Sequence, residues 1–298
     1  MPLSVVASGA PTLTDVNSDP LMPLAELPGV ADAIGRARAA CEELRWHEAF
    51  RRRWREVRAE ASVRSARASA ALEGAWVPVA LLRDVARGAA AVPPDAQSRL
   101  AFGALRAAAE VERLLPPLGA HDAAVGPPFG QLLARLHTAA TAGPDPQTTG
   151  PGRLRGDAPP RDLAGLGPAP SGSDVAARLD VLGDLVRTSR APTLVVASVV
   201  HGELLALRPF AVGSAVVARA VSRLLVAQRG LDPTGAVVAD AAWVGNEYLG
   251  AAAGFATGTA TGVAAWLVAC AEAVRIGADE GRSIADAVLV GRLADLAE

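Results

Sequence analysis

The chain reads as an all-α protein, and three features of the sequence predict it. Apolar residues recur at the three-to-four spacing of a buried helix face, Pro and Gly clusters punctuate those runs, and no run alternates convincingly as a strand. With 298 residues and 51% apolar content there is ample material for a core. We expect an irregular arm over residues 1–28 and a single helical domain over 29–298, divided into amino-terminal helices at 29–90 and a core at 91–298.

From Val30 to Leu72 the spacing of Leu44, Phe50, Trp54 and Val57 among charged residues predicts a long amphipathic helix, with room for an interruption. Helices are expected next at 78–90, 96–115 and 127–141, separated by Pro and Gly. The stretch 141–174, "TAGPDPQTTGPGRLRGDAPPRDLAGLGPAPSGSD", is too rich in Pro and Gly for a helix and too long for an ordinary connection. It is expected to be a functional or mobile loop, with room for a short β-hairpin. Helices follow at 174–188, 192–207, 214–229, 240–253, 261–277 and 282–296.

The joint between 192–207 and 214–229 is the most informative. Pro209 has no amide hydrogen and drives Arg208 out of the helical region, so the first helix should end near Leu207. Gly213 permits a positive φ, and Ser214 is a good N-cap. The amides that open the second helix then point into the loop, a geometry that receives an anion. Arg208, Gly213, Ser214 and Arg219 are the candidate anion-binding residues.

Composition narrows the function. The formal net charge is −2 and the sequence pI about 6.1, which argues against a dedicated nucleic-acid binder. The triplet Arg51, Arg52 and Arg53 reads as a solvated helix face. Cys41 and Cys270, far apart, suggest neither a disulfide framework nor a zinc site and fit a reducing cytoplasm. The amino terminus has no basic residue ahead of its apolar part and does not read as a secretory signal. Uncharged Tyr248 to Ala271 is long enough to span a bilayer, but its Gly, Ala and Thr content and the "GTATG" break predict a pair of core helices instead.

The segment "SVVHGELLALRPFAVGSAVVAR", 198–219, resembles the core of the Fic family of nucleotidyl transferases, whose motif is His-Pro-Phe-x-(Asp or Glu)-Gly-Asn-Gly-Arg-x-x-Arg between two helices. Pro209, Phe210, Gly213 and Arg219 match it. Arg208 stands for the histidine, Val212 for the acidic residue, and Ser214, Ala215 and Val216 for Asn-Gly-Arg. "RASAALEGA", 67–75, resembles the inhibitory motif of regulated members through Ser69, Glu73 and Gly74. His137 and His201 resemble structural histidines, "GRLR" at 152–155 resembles the run into the substrate-docking flap, and "AAWLVACAEAV" resembles the closing helix.

The resemblance implies a Fic-like helical bundle with a degenerate site. In the family the motif histidine is the general base, a role that a permanently protonated guanidinium cannot take. The family's acidic residue holds Mg²⁺, and the Val212 side chain offers no oxygen. Cβ atoms at Ala215 and Val216 narrow the phosphate nest. His201, about 10 Å up the same helix at 1.5 Å per residue, is too far to stand in for the base. No catalytic residue, no metal site and no obligatory cofactor are therefore expected, and a Glu73–Arg219 ion pair is. The expected function is a non-catalytic binding or regulatory module for a protein partner, with homodimerisation allowed. The alternative is an atypical nucleotidyl- or phosphate-group transferase that takes ATP or another nucleotide without Mg²⁺.

Overall fold

The computed structural model describes residues 19–120, 126–142, 150–163 and 165–293. Among these there are ten α-helices and no strand. They are α1 (Val30–Arg45), α2 (Trp54–Leu72), α3 (Val79–Ala86), α4 (Ala96–Leu114), α5 (Phe129–Thr141), α6 (Gly172–Thr188), α7 (Thr193–Leu207), α8 (Ser214–Gln228), α9 (Gly245–Ala256) and α10 (Ala260–Val290).

At the centre stands the α7–α8 pair. α7 is apolar almost all round, and Val195, Val196, Val200, Leu204, Leu205 and Leu207 are sealed from solvent. Such a helix has no polar face to give to water, so it must be enclosed. α4 packs on α8 from one side and α10 on α7 from the other. A second apolar cluster, around Leu82, Phe102 and Ala107, joins α2, α3 and α4 to Val216 of α8. Position 216 thus faces core as well as the loop.

The structure refines three sequence expectations. The 30–72 run is two helices, because the chain turns at Trp46–Arg53, where His47 Nδ1 accepts from the Ala49 amide at 3.2 Å and caps a short 3-10 turn. The helices expected at 261–277 and 282–296 are one, α10. Gly277 and Gly281 are close-approach sites within it: a Cβ on Gly277 would lie 2.6 Å from the Ala239 nitrogen, and one on Gly281 2.6 Å from the Ala236 carbonyl oxygen. A segment crosses the helix there, and only glycine admits it. Residues 1–18 of the expected arm lie outside the described residues, but from Asp19 onward the chain is docked. The Asp19 carboxylate accepts from Ser189 Oγ and the Arg190 and Ala191 amides, and Leu21 is buried.

The uncharged stretch at 248–271 is a helix pair. α9 ends at Ala256, and Thr259 Oγ1 caps α10 by accepting from the Gly262 amide at 3.2 Å. By length and composition α10 is apolar enough to cross a bilayer, and here Trp266, Leu267, Ala271 and Ala278 are buried within the bundle.

Candidate functional site

The loop 208–213 between α7 and α8 is roofed by the segment 150–163. α7 stops at Leu207, and Arg208 takes a left-handed conformation with φ 45°. This is uncommon for a residue with a Cβ, and more so before proline, which favours extended backbone. The covering segment secures it. The Arg155 amide donates to the Pro209 carbonyl at 2.9 Å, and the Arg161 amide to the Ala211 carbonyl at 2.8 Å. The Arg155 guanidinium donates to the Arg208, Ala158 and Pro170 carbonyls at 2.8, 2.9 and 2.6 Å. The hairpin for which the sequence leaves room is absent among the described residues. Beside short turns of its own, Arg153 to Gly150 and Ala158 to Arg155, the segment bonds to the loop.

Arg208 is folded inward and is only 4% exposed. Its Nη2 donates to the Gly167 carbonyl at 3.0 Å, while Nε is buried without a partner. Gly213, at φ 79°, is the N-cap of α8. Ser214 is the first helical residue, not the cap expected from sequence, because its Oγ turns back on the loop to accept from the Phe210 amide and donate to the Phe210 carbonyl.

The cap comes from elsewhere. Asp162 Oδ2 accepts the Ser214 amide at 2.8 Å, and the Gly213 amide also supports this carboxylate. Asp162 Oδ1 is buried without a partner. Burial first, and then the Glu73 carboxylate, push the Asp162 pKa up to about 6 against these backbone bonds. Sequence reasoning passed over Asp162; its one signal was an acid a few residues beyond "GRLR" in a long loop.

Both nearby histidines are committed. His137 stacks on Phe210, ring centroids 3.9 Å apart and planes at 2°. Its Nδ1 accepts the Gly152 amide at 2.8 Å, which leaves Nε2 to donate to the Val212 carbonyl at 3.1 Å. One imidazole thus clamps flap to loop with no lone pair to spare. Burial lowers its pKa to about 4. His201 lies below, with Nε2 2.8 Å from Tyr248 Oη and its ring edge-on to Trp266. Burial, then Arg219, lower its pKa to about 3.

Arg219 projects from α8 to the end of α2, as the sequence predicts. Its Nη2 lies 2.9 Å from Glu73 Oε1 and 3.1 Å from the Ser69 carbonyl, and its Nε donates to Ser69 Oγ at 2.7 Å. Gly74, at φ 81°, turns the chain away directly after Glu73. Behind Arg219 a cavity of about 40 Å³ is lined by Ser65, His201, Arg223, Asp240 and Cys270. There burial, against the pull of Arg219 and Arg223, raises the Asp240 pKa to about 6.

The residues present do not fit a magnesium-bound nucleotide. The Val212 side chain supplies no oxygen, Asp162 already takes the Ser214 amide at the head of α8, and no group of three or more His, Cys, Asp or Glu gathers among the described residues. Ala215 and Val216, where glycine and arginine would serve phosphate, are both buried.

No protein-family model matches the chain, and no curated protein matches it significantly. Solved structures do match in fold. A Fic family protein from Desulfovibrio desulfuricans G20 superposes with a TM-score of 0.63 at 20% identity, over 84% of this chain and 74% of that one. A fragment of Fic-1 from C. elegans superposes with a TM-score of 0.58 at 14% identity, over 85% of this chain and 72% of that one. A single-substitution variant of the same fragment gives 0.61 at 15% identity. The chain therefore has the Fic helical fold.

Proposed function

We propose that this Fic-fold protein is a binding or regulatory module that does not transfer AMP. One observation carries the reading. The general base's position holds Arg208, a guanidinium without a lone pair, and the two histidines nearest it have pKa values depressed to about 4 and 3 and both ring nitrogens or a tyrosine hydroxyl as partners. The Glu73–Arg219 pair then serves as a clamp between α2 and α8, since no reaction remains for it to restrain. A protein partner, a second copy of this chain included, would meet the flap side of the bundle, where Leu154 is 45% exposed. Neither a nucleic acid nor a membrane is assigned, and a reducing cytoplasm would keep the free, buried Cys41 and Cys270 as thiols.

An atypical transferase is the second reading, and Asp162 is the observation that favours it. A carboxylate with an unpartnered oxygen and a pKa of about 6 could take a proton near neutral pH. The test is incubation of the purified protein with each α-labelled nucleoside triphosphate, with and without Mg²⁺, alone and with a protein extract. The expected result is no covalent label. Label that Asp162→Asn abolishes would establish the second reading.

A further inference from the structure

We propose that Asp162 is a built-in anion of this loop: its carboxylate occupies the head of α8 in place of a phosphate-bearing ligand and latches the segment 150–163 shut. The inference deepens the reading above and rests on it only in taking the 208–213 loop as a ligand-facing surface.

The geometry is that of an intramolecular ligand. The head of a helix offers unpaired amides and the positive end of its dipole, and an anion seated there is stabilised by both. Here the seat is taken by a side chain 52 residues away in sequence, through the Ser214 amide at 2.8 Å. The same segment closes over the loop through Arg155 and Arg161 amide bonds to Pro209 and Ala211. Removing the carboxylate would leave the α8 amides vacant beneath Arg208, a buried arginine with an unpartnered Nε. Amides with a guanidinium beside them suit a tetrahedral dianion.

The latch is poised to open because it is incompletely satisfied. Asp162 Oδ1 and Arg208 Nε are both enclosed without hydrogen bonds, a state that buried polar groups rarely tolerate. The charges around Asp162 are mixed. Glu73, at the end of α2, repels it; Arg208, at the end of α7, attracts it; Arg155 and Arg161 share its own segment. His137 of α5 stays neutral above about pH 4. α8 contributes its amides, and its Arg219 is paired with Glu73.

The sign of the pH dependence follows. The closed carboxyl has a pKa near 6 against 3.8 when solvated, so closing takes up a proton. The protonated acid still accepts from Ser214 through its carbonyl oxygen, and it escapes the repulsion of Glu73. Acid therefore tightens the latch. Through Asp162, opening becomes easier as pH rises from about 4 through 6, by up to about 100-fold for a shift of two units; release of His137 acts in the opposite sense over the same range, so the Asp162 effect is the difference between wild type and Asp162→Asn.

The experiment measures hydrogen exchange at the Arg155 and Arg161 amides, corrected for intrinsic rates, and sulfate binding by calorimetry. Sulfate is chosen because it stays a dianion from pH 5 to 8. Wild type, Asp162→Ala and Asp162→Asn are compared. The ratio of wild-type to Asp162→Asn exchange should rise between pH 4 and 7, and wild type should bind sulfate only weakly. Asp162→Asn, a mimic of the protonated acid, should be the better protected of the two above about pH 5 and bind sulfate no better than wild type. Asp162→Ala should bind sulfate at least about tenfold more tightly than wild type.

A folded Asp162→Ala protein with no gain in sulfate affinity would overturn the latch. So would a ratio of wild-type to Asp162→Asn exchange that ignores pH, which also decides the matter if the alanine variant fails to fold. Magnesium-dependent nucleotide binding by wild type that Asp162→Ala abolishes would make Asp162 a metal ligand and sink the proposal. The two readings fail separately. AMP transfer by wild type, together with a sulfate gain in the alanine variant, overturns the non-catalytic reading and leaves the latch. No transfer and no sulfate gain does the reverse.

Discussion

Removing Glu73 tests the clamp at the heart of the site. The Arg219 side chain is 1% exposed and that of Glu73 19% exposed, so Glu73→Ala strands a buried cation while deleting a carboxylate that is partly wet. Breaking a buried pair on one side costs about 3–5 kcal/mol when the stranded charge has no other partner. Here Arg219 keeps two bonds to Ser69 and faces Asp240, which places Glu73→Ala lower, at about 2–3 kcal/mol. Arg219→Ala removes four bonds, the long one to Tyr248 Oη included, and opens a void in the core, and should cost about 3–5 kcal/mol. Urea unfolding followed by circular dichroism, on both single variants and the double variant, gives these values and a coupling energy. The glutamate variant should melt about 5–10 °C lower, at roughly 2–4 °C per kcal/mol for a domain of this size. Glu73→Ala within about 0.5 kcal/mol of wild type, the range of an ordinary surface substitution, would refute the clamp. AMP transfer emerging in Glu73→Gly would show that the pair restrains a reaction after all.

Three further outcomes are expected. His137→Phe keeps the stack on Phe210 but loses the bonds to Gly152 and Val212, so it should cost about 1–3 kcal/mol and speed exchange at the Gly152 amide; unchanged exchange would remove His137 from the clamp. Stability from pH 7 to 5 should fall by only about 1 kcal/mol in wild type, because two opposing sets of groups titrate. His137 and His201, depressed when folded, each withdraw about 2 kcal/mol by pH 5, while Asp162 and Asp240, raised when folded, each return about 1.4 kcal/mol. The Asp162→Asn, Asp240→Asn double variant keeps only the histidine contribution and should lose about 4 kcal/mol over that range; a flat profile would contradict the assignment. Gly277→Ala drives a Cβ to 2.6 Å from the Ala239 nitrogen and should cost about 1–3 kcal/mol in chemical denaturation, and a neutral result would mean that the crossing segment yields freely.

The helix inventory was legible because its signals are local. Pro209 ends α7, Gly213 starts α8 at a positive φ, and the apolar periods mark which faces turn inward. The Glu73–Arg219 pair was legible for a different reason: two short motifs, far apart in the chain, resembled partners in one family. Where the local code misled, a tertiary contact overrode it. Gly277 and Gly281 look like breaks in a single sequence, and their purpose emerges only with the segment that passes over them. Ser214 has the chemistry of an N-cap, yet its hydroxyl serves Phe210, and the cap arrives from Asp162.

By itself, then, the sequence determined an all-α chain and the position of its central break at 208–213, both of which depend on residue chemistry and spacing. Tertiary structure alone decided what caps the head of α8. The free amides at the head of α8 attract whichever anion the fold brings within hydrogen-bonding reach, and the path of the covering segment makes that anion Asp162.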